Sequence, residues 1–199
     1  MKPERPSPKT AQNNQLRIIA GIWRGRKLSF PDVDGLRPTG DRIRETLFNW
    51  LAPEIQGARC LDLFAGSGAL GIEALSRGAA ASVMIERDAK AASQLKQNLE
   101  ILKAADGRVI SDNALCVLQK GNQHEPYHIV FIDPPFQLNL WQAVIDALEA
   151  GNWLAENATI YLESGRDDQY HPPINWQLHR DKHAGAVSYR LFYREHKSA

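Results

Sequence analysis

From residue 58 onward the chain alternates short apolar runs with longer amphipathic stretches, and this alternation restricts the possible folds severely. The runs are RCLDLF, SVMIE, GRVIS, IVFID and TIYLES, separated by helix-like stretches at 69–77, 89–103, 113–120 and 139–150. Strands joined through helices pair in parallel by right-handed crossovers. Two more strands, in NWQLHRDKHAG and AVSYRLFYRE, follow and meet at a short turn near residues 183–185. The predicted fold is therefore α/β, with a mostly parallel sheet.

The first 53 residues read differently. Residues 1–15, rich in Pro, Lys, Gln and Asn, read as a disordered tail. LRIIAGIWRGRKLSF (16–30) reads as a small basic hairpin, followed by a loop. DRIRETLFNWL then places Ile43, Leu47, Trp50 and Leu51 at helical spacing, with Thr39 or Asp41 as the expected cap and Pro53 as the stop. The organisation expected is a tail (1–15), a basic hairpin and helix (16–53), and an α/β domain (54–199).

The net charge of +1 conceals a division. Residues 1–44 hold ten Lys/Arg against four Asp/Glu, whereas the remaining 155 hold fourteen against nineteen. An anionic partner met by the N-terminal part is the implication. No apolar run approaches the ~18 residues of a membrane span, and the polar N-terminus lacks the core of a secretory signal. Cys60 and Cys116 form no C-x-x-C pair, and the six histidines show no metal-ligand spacing. A cytoplasmic protein without a metal is expected.

The strand RCLDLF runs into AGSGALG, where Gly66, Gly68 and Gly71 fit G-x-G-x-x-G at a strand-to-helix turn. Glycines there let backbone approach a ligand closely, with helix amides facing it. Glu86, twenty residues past Gly66 at the next strand end, is placed to bind ribose hydroxyls. A nicotinamide cofactor satisfies the same pattern. Asp62 inside the first strand favours S-adenosylmethionine, since a carboxylate there repels a pyrophosphate and suits either a ligand ammonium or a structured loop. Asp112 and Asn113 end the third strand, where either suits an adenine amino group or a helix cap.

IVFIDPPF raises the chemical question, because a core strand ends in a carboxylate, two prolines and a ring. Proline fixes its own φ and holds the preceding residue extended. Asp133 and Pro134 both precede a proline, so the Asp133 carboxylate and the Pro134 carbonyl project as two rigid acceptors. Such a pair suits a planar NH2 group, and Phe136 beyond Pro135 offers a ring on which a base can stack, a contact worth ~1–3 kcal/mol. An exocyclic amino nitrogen is a poor nucleophile because its lone pair is conjugated into the base. Two acceptors on its hydrogens favour a tetrahedral nitrogen aimed at a methyl sulfonium, by positioning and electrostatics.

LDLFAGSGALG, Glu86 and DPPF together resemble the class I S-adenosylmethionine-dependent methyltransferases that act on amino nitrogens. RIIAGIWRGRKL, LRPTGDRIRETLFNWL and SYRLFYRE extend the likeness over nearly the whole chain, which is similar to the bacterial RsmD family of 16S rRNA (guanine-N2)-methyltransferases. The resemblance implies a Rossmann-like, seven-stranded sheet whose last strand, about 187–194, is antiparallel to its neighbours. It implies that Asp62, Phe64, Ala65, Gly66 and Gly68 line the methionine part of the cofactor. Glu86 and Arg87 would meet the ribose, Asn113 and Ala114 the adenine, and Thr39 and Arg42 would pack over it. Asp133, Pro134, Pro135 and Phe136 would receive the flipped guanine.

Arg17, Arg24, Arg26, Arg37 and Arg44 cluster in sequence around Trp23 and several glycines, a composition suited to phosphates and unstacked bases. The expected partner is 16S rRNA, within a small-subunit particle, met by a monomer. The competing readings are an adenine-N6 methyltransferase on DNA or RNA, a non-catalytic ribosome assembly factor, and, more distantly, a nicotinamide dehydrogenase.

Overall fold

A computed structural model describes residues 14–33 and 40–195. Arg37 and Thr39, and with them one expected helix cap, lie outside the described residues. Most of the expected tail does too, although strand pairing begins at Asn14, two residues before the expected hairpin.

The N-terminal hairpin pairs β1 (Asn14–Arg17) with β2 (Lys27–Phe30) in antiparallel register. Helix α1 (Asp41–Leu51) follows. The α/β part comprises β3 (Arg59–Asp62), α2 (Gly71–Ser76), β4 (Ala81–Glu86), α3 (Ala89–Leu102), β5 (Gly107–Ser111) and α4 (Ala114–Gln119). It continues with β6 (Tyr127–Ile132), α5 (Trp141–Ala150), β7 (Leu154–Gly165), β8 (Trp176–Ala184) and β9 (Val187–Arg194). The strands form one sheet in the order β5-β4-β3-β6-β7-β9-β8. All pairs from β5 to β7 are parallel, and β9 runs antiparallel to both β7 and β8. This is the seven-stranded arrangement implied by the resemblance. Among the described residues no helix is long and apolar enough to cross a membrane.

Both faces of the sheet are covered, which explains why its central strands read as continuous apolar runs. Val130 and Ile132 of β6 face a core built with Trp141, Val144, Ile145 and Leu148 of α5. Ile129 and Phe131 face the other side, against Leu47, Phe48 and Leu51 of α1. One expected element is longer than its sequence suggested: β7 starts at Leu154, five residues before TIYLES, because Tyr127 pairs with Leu154 across a bulge.

The glycines of the loop after β3 satisfy packing as well as any ligand. A Cβ on Gly71 would lie 2.4 Å from Met84 Cγ, and one on Gly68, at φ +82°, would lie 2.5 Å from Leu95 Cδ2. Asp62, 2% exposed, ties the loop down by accepting the Gly71 N–H at 3.0 Å. Burial pushes its carboxyl up to about 7, opposed by the Gly71 and Phe64 amides and aided by the Glu86 charge.

The hairpin is fastened to α2. Glu73 accepts the amides of Ile19 and Ala20 at 2.9 and 3.0 Å, and Ser76 Oγ donates to the Ala20 carbonyl at 2.6 Å. Gly21, at φ +84°, passes so close that an added Cβ would sit 1.7 Å from the Ser76 carbonyl oxygen. Ile18 and Leu28 complete the joint by packing with Leu75, Leu95 and Leu99. Among the described residues no side chain caps α1: Gly40 stands at its N-cap, and Asp41, one of the two expected caps, instead pairs with Arg44 at 2.6 Å and Arg17 at 3.4 Å.

Two consequences can be measured. Gly21→Ala has no room at Ser76 and no comfortable φ, so it should cost ~2 kcal/mol or more, or release the hairpin. Denaturant unfolding and trypsin cleavage after Arg24 and Arg26 will report this, and wild-type values in both would refute the clamp. The Asp62 carboxyl, neutral more readily in the folded than the unfolded chain, contributes stability that is full below pH ~4 and is lost as pH rises to about 7. Asp62→Asn removes this slope, so its stability relative to wild type should improve by roughly a few kcal/mol across that window. Parallel unfolding profiles for the two proteins would contradict it.

Candidate active site

The sheet order brings three strand ends together. β3 lies between β4 and β6, so the glycine loop, Glu86 and Asp133 emerge side by side at the carboxyl edge. Ligands of open α/β sheets bind at such an edge. The Leu63 amide donates to the Phe131 carbonyl at 3.2 Å, and the Ala65 amide to Ile85 at 2.9 Å, so the loop is stitched to both neighbours before it turns.

Gly66, at φ +53°, opens the turn, and its amide donates to Glu86 Oε2 at 2.8 Å. The other Glu86 oxygen accepts the Asp88 amide at 2.7 Å. Glu86 thus holds both walls of the crevice while staying half-buried, and each carboxylate oxygen keeps a further lone pair for a ribose hydroxyl. Asp62 takes the loop-holding alternative of the two roles open to it. Ala65 is buried, Phe64 packs half-buried on the core, and Arg87 is exposed beside Glu86. At the end of β5, Asn113 caps α4, its Oδ1 accepting from Leu115 at 2.9 Å and Cys116 at 3.4 Å. Ala114 is buried behind it. Asp112 accepts its neighbour's amide and pairs with Lys120 at 3.1 Å, and that lysine holds its carboxyl below the ordinary value.

Around the motif after β6, Pro134 is buried and Asp133, Pro135 and Phe136 are half-buried. Pro135 is extended, with φ −55° and ψ 121°, and the chain then turns through a short 3-10 segment, Phe136–Leu138. The Phe136 ring leans on Trp141 at 5.8 Å, so its inner face is fixed by the core. Trp141 in turn stacks with Tyr170 at 6.3 Å and donates its indole N–H to the Glu163 carbonyl at 2.8 Å.

On the opposite face of the sheet stand Tyr161 and Glu163. Their side chains meet: the Tyr161 phenol donates to Glu163 Oε2 at 2.8 Å. Burial raises the Glu163 carboxyl, though the phenol's hydrogen bond opposes that. Burial also pushes the Tyr161 phenol well up, with the charges of Glu163 and Asp133 adding to it. Asp133 therefore lies within electrostatic reach of the Tyr161 phenol.

The arginines divide. Arg24, Arg26 and Arg42 are exposed, and Arg17 is exposed while paired with Asp41. Arg44, expected at an RNA surface, is 1% exposed and sits inside the joint between hairpin and body. It donates to the Arg17 carbonyl at 3.0 Å and pairs with Glu73 at 3.5 Å. Arg44 shares the buried face of α1 with Leu47, Phe48 and Leu51 at i+3, i+4 and i+7, so it is a structural cation and not an RNA contact. Trp23 is half-buried against the core of α2 and α3. Sequence reasoning also passed over Glu73. Its signal was present, since a lone carboxylate sits in the otherwise apolar helix GIEAL.

Comparison with known proteins gives a consistent result. A family model described as "Conserved hypothetical protein 95" matches residues 16–193. A protein of Escherichia coli K12 named ribosomal RNA small subunit methyltransferase D is 55% identical over 190 residues, covering 94% of each chain. The protein of that name from Haemophilus influenzae is 49% identical, covering 89% of this chain and 93% of its own. Among solved structures, yhhF of Escherichia coli superposes with a TM-score of 0.85 at 55% identity, over 92% of this chain and all of that one. A more distant RNA methyltransferase from Salinibacter ruber, solved with S-adenosyl-L-homocysteine, shares the fold with a TM-score of 0.61 at 13% identity, over 82% of this chain and 97% of its own. With its hairpin, glycine loop and strand-end motif in these positions, the chain belongs to the RsmD family of ribosomal RNA small subunit methyltransferases.

Proposed function

We propose that this protein transfers a methyl group from S-adenosylmethionine to the exocyclic N2 of a guanine in 16S rRNA, within a small-subunit particle. The observation that carries the reading is the juxtaposition of Asp133-Pro134-Pro135-Phe136 with the glycine loop on neighbouring strand ends. The relatives' names supply the RNA class.

The residues suit the cofactor. Glu86 offers acceptors for ribose hydroxyls beside a loop whose backbone is exposed by Gly66, and Asn113 with Ala114 forms an edge for the adenine. Phe64, Ala65, Gly68 and Arg87 complete the lining, with Asp62 acting through the loop. When bound, S-adenosylmethionine supplies a methyl group on a sulfonium. The chain's own part is to orient the attacking nitrogen. Phe136, braced by Trp141, supports the base, while Asp133 and the Pro134 carbonyl accept from the amino hydrogens. The nitrogen's lone pair is thereby released from the ring. Asp133 is also the acceptor nearest the proton that leaves after transfer.

The base must be unstacked from its neighbours to reach this edge, at a cost of a few kcal/mol that contacts to RNA must offset. Exposed Arg17, Arg24 and Arg26 on the hairpin and Arg42 on α1 supply phosphate contacts on rigid supports. Arg37 and Thr39 complete that segment in sequence.

Two experiments test this. Unmodified small subunits incubated with labelled methyl donor should yield N2-methylguanosine on nucleoside analysis, and N6-methyladenosine would overturn the reading. In the same assay Asp133→Ala should lose at least ~100-fold in kcat while calorimetric donor affinity stays near wild type. Separately, Arg24→Ala combined with Arg26→Ala should weaken rRNA binding and reduce the slope of log K against log salt by about 1–2. An unchanged slope would remove these arginines from the interface.

A further inference from the structure

The mechanism above leaves one buried acid at the site without a task. Glu163 is 8% exposed at the carboxyl end of β7, next to the strand that carries Asp133. In the parallel register Phe131 pairs with Tyr161 and Ile132 with Leu162. One step further the two carboxylates fall on adjacent strand ends, and alternation turns both toward the Phe131 and Tyr161 side. The Tyr161 phenol donates to Glu163 Oε2 at 2.8 Å, and the Asp133 charge acts on the same phenol. The Trp141 indole fixes the Glu163 backbone through its carbonyl at 2.8 Å. Glu163 is thus held by a phenol on one side and an indole on the other, and Trp141 also braces Phe136. An arrangement for stability alone does not call for a second carboxylate beside Asp133, because burying like charges together is costly.

A guanine presented to Asp133 by its 2-amino group carries a second donor on the same edge, the N1–H. Adenine has an acceptor at N1 instead. We propose that Glu163 accepts the N1–H of the target base beside Asp133, making it the residue that selects guanine. This rests on the guanine-N2 reading and deepens it. Asp133 addresses the amino group that any base bearing one can offer, whereas Glu163 addresses the proton that distinguishes guanine. Tyr161 is a positioning residue, since its phenol orients the carboxylate and touches no substrate. A base with an acceptor at N1 would confront the carboxylate with an unpaired lone pair in a desolvated site. Sites built to hydrogen-bond a substrate group reject analogues lacking it strongly.

The test uses small-subunit particles in which the methylated guanine, once mapped, is replaced by 2-aminopurine. That base keeps the 2-amino group but has no N1–H. Wild-type protein should favour guanine over 2-aminopurine by at least ~100-fold in kcat/KM. Glu163→Gln keeps an oxygen for the Tyr161 phenol and gains an amide donor for an unprotonated N1. Its preference should fall below about tenfold, through loss on guanine and gain on 2-aminopurine, with donor affinity unchanged. Tyr161→Phe, which keeps the carboxylate but frees its orientation, should lower the preference by an intermediate factor and serves equally if Glu163→Gln does not fold. A wild-type preference retained by a folded variant, or no preference in the wild type, overturns the assignment of Glu163. Wild-type protein that forms no N2-methylguanosine on ordinary particles would instead refute the guanine-N2 reading on which it rests.

Discussion

Glu73 lies on the short helix α2, where the hairpin is fastened to the α/β body, with 1% of its surface exposed. A carboxylate there is tolerable only if its charge and lone pairs are met. Two backbone amides, Ile19 and Ala20, approach from the hairpin, and Arg77 donates to Oε1 at 2.8 Å from the next turn of the chain. Arg44 faces Oε2 at 3.5 Å from α1. Removing any partner would leave a buried ion short of compensation, so the hairpin, α1 and α2 are held as one body. Arg77 extends the network by lying over the Phe48 ring at 4.9 Å. The basic hairpin is consequently held rigid, so little ordering cost would attach to the RNA contact proposed for it.

A similar use of carboxylates shapes the cofactor crevice. Asp62 holds the far end of the glycine loop from below, and Glu86 holds its start and the following turn from the side. The loop therefore has its shape before any ligand binds. Glycine at 68 and 71 serves the same end by letting α2 settle against Met84 and Leu95. The motif that reads as ligand binding is in large part a packing solution, and the cofactor proposed for it would occupy what that packing leaves.

Much of this was legible in the chain. The strand and helix alternation gives the parallel sheet, and the apolar runs give its buried centre, because two covered faces leave no polar alternation to confuse the reading. Asp133 and Phe136 stand where the strand period and the two prolines place them. The failures have local causes. Arg44 looked like its exposed neighbours, since only two residues separate outward Arg42 from inward Arg44 on opposite faces of α1, and composition cannot tell them apart. The start of β7 was hidden by Glu156 and Asn157, polar residues exposed at the bulge near the beginning of an otherwise buried strand. Asp41 does not cap α1 because it is drawn to Arg44 in the next turn and to Arg17 on the hairpin, and the second of these is an association of distant segments that local propensity does not contain.

The order of the last three strands bears on how the chain is made. β7 bonds to β9 and not to β8, so its edge cannot be covered by the segment that leaves the ribosome next. Until residues 187–194 are available, β7 presents an open row of amides and carbonyls while β8 has no partner. Such an edge invites pairing with another chain during synthesis. β8 itself carries Arg180, Asp181 and Lys182 and is exposed along all but its first residue. The outermost strand thus closes the sheet with charges, and the vulnerable interval ends only when the inner of the two late strands has slid between its neighbours.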